Sequence, residues 1–203
     1  MNPSLTSNPN FQRLLSVTEQ TIQELGCNKT TLQEIITRSG LSKGAIYHYV
    51  KSKDELFSLV LETKSYKINE KFNEAVQRAV HQTDGLSGPL EVITEGIIPQ
   101  ITDDKDVSNM IFVYLLSRRE DPAIQTILRR MNEHSLAMTT KWIEIGQQHD
   151  VISKELDAEK TASTFLLYVY GLRVQRMIEP QRLPITETEL FNFFYRTLFA
   201  GAT

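Results

Sequence analysis

The sequence predicts an all-α protein of about nine helices, and three observations carry that prediction. Capping signals recur along the 203 residues, at Thr31-Leu32-Gln33-Glu34, Ser52-Lys53-Asp54-Glu55 and Thr186-x-x-Glu189. Each sets a hydroxyl three residues ahead of a Glu, so that both side chains can satisfy backbone N–H groups left open at a helix start. Between these signals apolar residues return at intervals of three and four. No alternating Val, Ile or Thr run bounded by hairpin turns occurs, and no internal repeat.

Residues 1–9 hold two Pro and two Asn and read as a lead segment. A first helix follows from about Asn10 to Leu25, with Phe11, Leu14, Leu15, Ile22 and Leu25 on one face and Thr18 as its polar interruption. Gly26 closes it. Thr31 caps a second helix carrying Leu32, Ile35 and Ile36, which Gly40 ends because a residue without Cβ enters the left-handed region at no steric cost. Ser42 caps a third, Lys43 to about Tyr49, whose first turn contains Gly44 and Ala45. The fourth runs from Ser52 to about Val80, with a dense apolar first half (Leu56, Phe57, Leu59, Val60, Leu61) and a thinner stripe (Ile68, Phe72, Val76) suited to a rod between domains.

Residues 83–89 read as a loop with Pro89 fit for a first helical turn, and Leu90 to about Thr102 as a helix that Pro99 should kink or stop. A strongly apolar helix through Met110 and Tyr114 comes next, then a long one from Asp121-Pro122 to about Gln148. Asp157 caps a helix to about Glu179, residues 180–184 form a loop, and Thr186 opens a last helix to about Ala200.

Net charge is −3, which alone speaks against a nucleic-acid partner. Its distribution says otherwise: residues 1–68 hold eight Lys/Arg and six Asp/Glu, while residues 69–203 hold fourteen and nineteen. Lys43, Lys51, Lys53 and His48 gather around the third helix. That footprint is modest and implies few phosphate contacts and a moderate salt dependence. The longest apolar run is Phe165 to Leu172, and the amino terminus lacks a basic or apolar leader, so a cytoplasmic protein is expected. Cys27 stands alone, which excludes an internal disulfide and a thiolate-rich metal site; a buried filler is its plainest role.

Thr30 to Leu56 is the most informative stretch. Two short helices around a tight turn, the second opening on small residues, make a helix-turn-helix over about residues 31–50. The amino-terminal end of its second helix is the part that enters a DNA major groove. Phe11, Ile22, Gly26, Thr30-Thr31, Ile35, Gly40-Leu41-Ser42-Lys43-Gly44, Ile46-Tyr47-His48-Tyr49, Lys53 and Leu56 together resemble the amino-terminal domain of the tetracycline-repressor (TetR) family of transcriptional regulators. Order and spacing agree over about 45 residues, which is far more specific than one short motif. Ile36 and Ser39 depart from the family's usual Ala, Val50 from its bulky aromatic and Lys51 from its frequent Pro.

The resemblance implies a DNA-binding domain over residues 8–68 and a ligand-binding and dimerisation domain over 69–203. It implies phosphate contacts from Tyr47 and Lys53, and base edges or nearby backbone faced by Lys43, Ala45 and His48. Thr31 would help offer a phosphate-binding amide, Gly44 allows close approach, and Ser42 either caps its helix or bonds a phosphate. It also implies an effector cavity, with Met110, Tyr114, Met138, Trp142 and Tyr168 as lining candidates and Arg173 with Arg176, or else Glu95, as polar anchors. The last two helices are apolar on more than one side, so each needs two partners. Phe165, Val169, Leu172, Phe191, Phe194 and Leu198 are the expected contacts with a second copy of the chain.

The expected partners are therefore a pseudo-palindromic operator, a second copy and a small-molecule effector of unknown identity. The expected function is a repressor that its effector releases. The competing reading is an all-helical small-molecule binding protein or enzyme without DNA affinity. Against an enzyme, His81, His134 and His149 lack metal-ligand spacing, and neither a Gly-rich phosphate loop nor a nucleophile elbow is present. Asp103, Asp104 and Asp106 lack the spacing of an EF-hand, and no cofactor is expected.

Overall fold

The computed structural model describes residues 7–81, 88–103, 106–179 and 185–199. Among these it holds nine helices and no strand: α1 (Pro9–Lys29), α2 (Leu32–Ser39), α3 (Lys43–Tyr49), α4 (Lys53–His81), α5 (Gly88–Thr102), α6 (Val107–Ser117), α7 (Pro122–Gln148), α8 (Ala158–Ile178) and α9 (Glu187–Phe199). The loops expected near 83–87 and 180–184, most of the lead segment and the end of the last helix lie outside the described residues. None of the described helices is long and apolar enough to cross a membrane.

The caps explain the helix starts. Asn8 Oδ1 accepts from the Asn10 N–H at 2.9 Å, with Pro9 at the first helical position. Thr31, Ser42, Asp106 and Asp157 each accept from a first-turn amide. Thr186 and Glu189 form the full reciprocal box: the Thr186 N–H donates to Glu189 Oε2 at 2.7 Å and the Glu189 N–H to Thr186 Oγ1 at 3.2 Å. The other two boxes are half-formed. Glu34 turns away from Thr31 to accept from Arg38 Nε at 2.6 Å, and Glu55 reaches past Ser52 to the Lys51 N–H at 2.6 Å. In both, a charged or unpaired donor nearby outcompetes the cap's own amide.

Gly26 sits at φ 75° and ψ 160°, a region essentially closed to residues with a Cβ, and there α1 breaks before a last short turn to Lys29. No atom within 4 Å would meet a Cβ at that position, so the demand is conformational and not steric. Gly26→Ala is expected to lose about 1–3 kcal/mol of unfolding free energy in urea titration; an unchanged midpoint would mean that the break can relax.

Pro99 does not end α5. The helix runs on to Thr102, and the Asp103 N–H still donates to the Pro99 carbonyl at 3.0 Å. A helix can absorb one missing N–H where flanking bonds hold, and the Gln100 amide adds one to the Gly96 carbonyl at 3.1 Å. Leu25, expected on the buried face of α1, is 36% exposed, whereas Thr18 is fully buried with its hydroxyl donating to the Leu14 carbonyl at 2.7 Å.

The chain forms two compact units. The first is Met1–Tyr66 with Asp104–Met131, and the second is Lys67–Asp103 with Asn132–Thr203. The core of the first joins Phe11, Leu14 and Ile22 of α1, Ile35 of α2, Ile46 of α3 and Phe57 of α4. Val107, Ile111, Tyr114 and Leu115 of α6 belong to the same core, with Ile124 and Ile127 from the start of α7. The helix-turn-helix unit therefore draws on residues that the sequence reading gave to the second domain. α1 packs on α6, and Lys64 of α4 pairs with the α6 cap Asp106 at 3.2 Å.

The second unit packs α5 against α8 and α9. Phe165 and Phe194 sit with ring centres 4.4 Å apart, and Tyr168 stacks on Phe193 at 4.4 Å. Near them Phe72 and Val76 of α4 pack with Trp142 of α7.

Candidate nucleic-acid interface and internal cavity

In the first unit, α3 is anchored from behind and left open in front. Ile46 is fully buried, Val50 is 2% exposed, and Tyr49 packs its ring on Phe11 at 5.2 Å. Thr31, Ser42, Lys43, Gly44, Tyr47 and His48 are exposed, and Ala45 is half-buried. The Lys43 ammonium lies over the Tyr47 ring at 5.6 Å, one helical turn away. Tyr47 is thus not the aromatic that packs between helices; Tyr49 is.

Ser42 acts as a cap, its Oγ accepting the Ala45 N–H at 3.2 Å. Ser39, unusual in its buried position, satisfies its hydroxyl at the turn by donating to the Ile36 carbonyl and accepting from the Leu41 N–H, both at 3.3 Å. Arg38 holds α2 to α1 through Glu24, and these carboxylates raise its already high pKa.

Lys53 departs from its expected place at a phosphate. Its ammonium donates to the carbonyls of Cys27, Asn28 and Thr30 at 3.1, 3.3 and 3.0 Å, so all three of its donors are engaged at the end of α1. It also lies 5.2 Å from the centre of the Tyr114 ring. This lysine positions the segment that leads into the Thr31 cap. Lys53→Met should lower unfolding stability by about 2 kcal/mol, read in urea titration, because carbonyls lose a charged donor that methionine cannot replace.

Beside it, burial pushes the Cys27 thiol up to about 11, with Lys53 pulling the other way. A thiol so protonated is a poor nucleophile, in keeping with a packing role. Tyr114 and Arg118 both donate to Asp54 Oδ1, at 2.8 and 3.0 Å. Burial, and then the Asp54 carboxylate, push the Tyr114 hydroxyl up to about 12.

In the second unit a cavity of about 350 Å³ opens among α4, α5, α7, α8 and α9. Of the lining and anchor candidates, only Trp142 borders it. Met110 and Tyr114 pack in the first unit's core, because α6 belongs to that unit. Met138 packs behind Trp142, Tyr168 is stacked on Phe193, and the Arg173 guanidinium donates to Gln100 Oε1. The residues missed include Phe72, Val76, Ile93, Ile97 and Ile143. Phe72 and Val76, expected on the stripe of a connecting rod, border this cavity instead.

The six residues expected to meet a second copy also stand elsewhere. Phe165, Val169, Leu172, Phe194 and Leu198 are at most 7% exposed, and Phe191 is half-buried against the same cluster. They fill the protomer's own core. The outer stripe of α8 is Leu167, Gly171, Val174 and Ile178, with Tyr195 exposed on α9. No group of three or more His, Cys, Asp or Glu able to hold a metal occurs among the described residues.

Residues 14–60 match the family model of the bacterial regulatory proteins of the tetR family. The chain is 25% identical over 169 residues to the HTH-type transcriptional repressor BepR of Brucella suis biovar 1 (strain 1330), covering 79% of this chain and 77% of that one. It is 24% identical over 174 residues to the HTH-type transcriptional regulator AcrR of Shigella flexneri, covering 84% and 79%. Its fold is that of Salmonella enterica GusR, with a TM-score of 0.62 and 21% identity over 94% of this chain and 95% of that one. The SmeT–triclosan complex, SmeT being the repressor of a Stenotrophomonas maltophilia multidrug efflux pump, superposes with a TM-score of 0.63 at 17% identity over 94% and 91%.

Proposed function

We propose that this chain is a TetR-family transcriptional regulator: a dimeric, cytoplasmic repressor released from its operator by a small molecule, and not an enzyme. The observation that carries the reading is the presentation of α3. Ile46 and Val50 fix the helix to the core, while Lys43, Gly44, Tyr47 and His48 stand clear of it. Such a helix enters a major groove by its amino-terminal end, and a twofold dimer places two of them on half-sites roughly 34–36 Å apart.

The second copy docks on the outer stripe of α8, Leu167, Gly171, Val174 and Ile178, with Tyr195 beside it. Leu167 and Ile178 are 68% and 72% exposed, a burden that two-fold burial would remove. The effector occupies the cavity of the second unit and binds the DNA-competent and released geometries unequally, as linkage requires. Occupancy of a structural neighbour by triclosan supports a ligand-responsive reading.

The test is fluorescence anisotropy on the DNA flanking the chain's own gene, at several salt concentrations. Saturable binding that weakens moderately with salt is expected; no binding at the lowest salt ends the repressor reading. Gly44→Ala refines it. No atom lies within 4 Å of a Cβ there, so the free protein should keep its stability or gain up to about 1 kcal/mol. Operator affinity should fall at least about tenfold as the methyl group holds the backbone off the groove; an unchanged affinity would place the close approach elsewhere.

A further inference from the structure

The cavity of the second unit has a chemistry that narrows what it can hold. Its walls are hydrocarbon, with Phe72, Val76, Ile93, Ile97, Phe165 and Phe194 prominent. Among the described residues around it, side-chain polarity comes from Thr139, Trp142 and His149, and no carboxylate, ammonium or guanidinium borders the space. The Trp142 indole N–H is already given to Asn69 Oδ1 at 2.8 Å, so this residue offers a ring face and not a donor. Phe72 stands 5.5 Å from it, ring centre to ring centre.

Volume and polarity act together. An apolar cavity of roughly 150 Å³ takes one benzene, so about 350 Å³ matches two rings. A charge moved into such a space needs a counter-charge or several hydrogen bonds, and the lining offers only the Thr139 hydroxyl and the His149 imidazole. We propose that the cavity selects an uncharged, two-ring aromatic lipophile bearing a single hydroxyl or carbonyl. The rings lie among Phe72, Trp142 and Phe165, and the polar group is directed either to Thr139 or to His149, which stand ten residues apart along the wall. Lipophilic cations and aromatic acids are rejected by the same lining. This inference rests on the reading of the cavity as the effector site.

A matched series tests it on the full chain by isothermal titration calorimetry: 1-naphthol, naphthalene-1-sulfonate and trimethyl(1-naphthyl)ammonium share one ring system and differ in charge. The expected result is at least tenfold tighter binding of 1-naphthol than of either ion, with quenching of Trp142, the chain's single tryptophan. Ala79→Phe, which sends a ring into the cavity that Ala79 lines, should weaken 1-naphthol at least tenfold. If that variant melts early, Ile93→Trp gives the same obstruction from α5. Equal or tighter binding of an ion, no heat from 1-naphthol, or binding that both obstructing variants leave unchanged would each overturn the proposal. Operator anisotropy with the same compounds reads the effector role separately. 1-Naphthol that fills the cavity while the operator stays bound counts against that role and supports the ligand class.

Discussion

Exchanging Lys43 and Tyr47 together for alanine should lower operator affinity by about a thousandfold while leaving the fold intact. Both side chains are exposed, and the Lys43 ammonium rests over the Tyr47 ring at 5.6 Å, so each holds the other's direction in the free protein. Neither belongs to the core behind α3, which is built from Ile46, Val50 and Tyr49. A twofold dimer loses four such side chains at once. At about 1 kcal/mol each the loss is about 4 kcal/mol, or roughly three orders of magnitude. Anisotropy on operator DNA measures it, with the urea midpoint as control. Wild-type affinity in the double variant would take α3 off the DNA; a large fall in the midpoint would mean that Tyr47 supports the core after all.

The second large effect concerns the proposed dimer. Leu167→Glu with Ile178→Glu should convert the protein to a monomer and remove operator binding with it. At 68% and 72% exposure both positions tolerate a carboxylate in the isolated protomer. In a twofold interface each charge appears twice, desolvated and facing apolar surface. A penalty of about 2–5 kcal/mol per buried unpaired charge raises the dimer dissociation constant by at least about a thousandfold. Analytical ultracentrifugation reads the mass and circular dichroism the fold. A double variant that sediments like the parent would move the interface off this stripe.

Local signals were the legible part of this chain. The breaks at Gly26 and Gly40 and the caps at Thr31, Ser42, Asp157 and Thr186 are each decided within four residues, and each was readable from spacing. So was α3 as the presented helix, because it opens on the small residues Gly44 and Ala45 directly after the turn at Gly40. Choices between competing partners were not legible. Glu34 has both the Thr31 amide and Arg38 within reach, and only packing decides for Arg38. Lys53 has an expected phosphate on one side and three carbonyls on the other.

The two apolar sides of α8 posed the same problem on a larger scale. A helix that needs two partners does not say which side meets which, and the side with Phe165, Val169 and Leu172 went inward, Phe165 against Phe194 of α9. Leu167, Gly171, Val174 and Ile178 stayed out. The cavity lining was illegible for a related reason. It is assembled from five helices spread between Phe72 and Phe199, and nothing local marks a wall.

The return of residues 104–131 to the first unit limits how the protein can be taken apart. Cut after residue 66, the amino-terminal piece would leave Phe57 without Tyr114, whose ring meets its own edge to face at 5.5 Å, and would bare the surface that Ile111, Leu115 and Ile124 cover. Helices α1 to α4 are therefore not a portable reading head. A chimaera meant to move α3 and its supporting core onto another protein has to carry α6 and the first turns of α7 along with them.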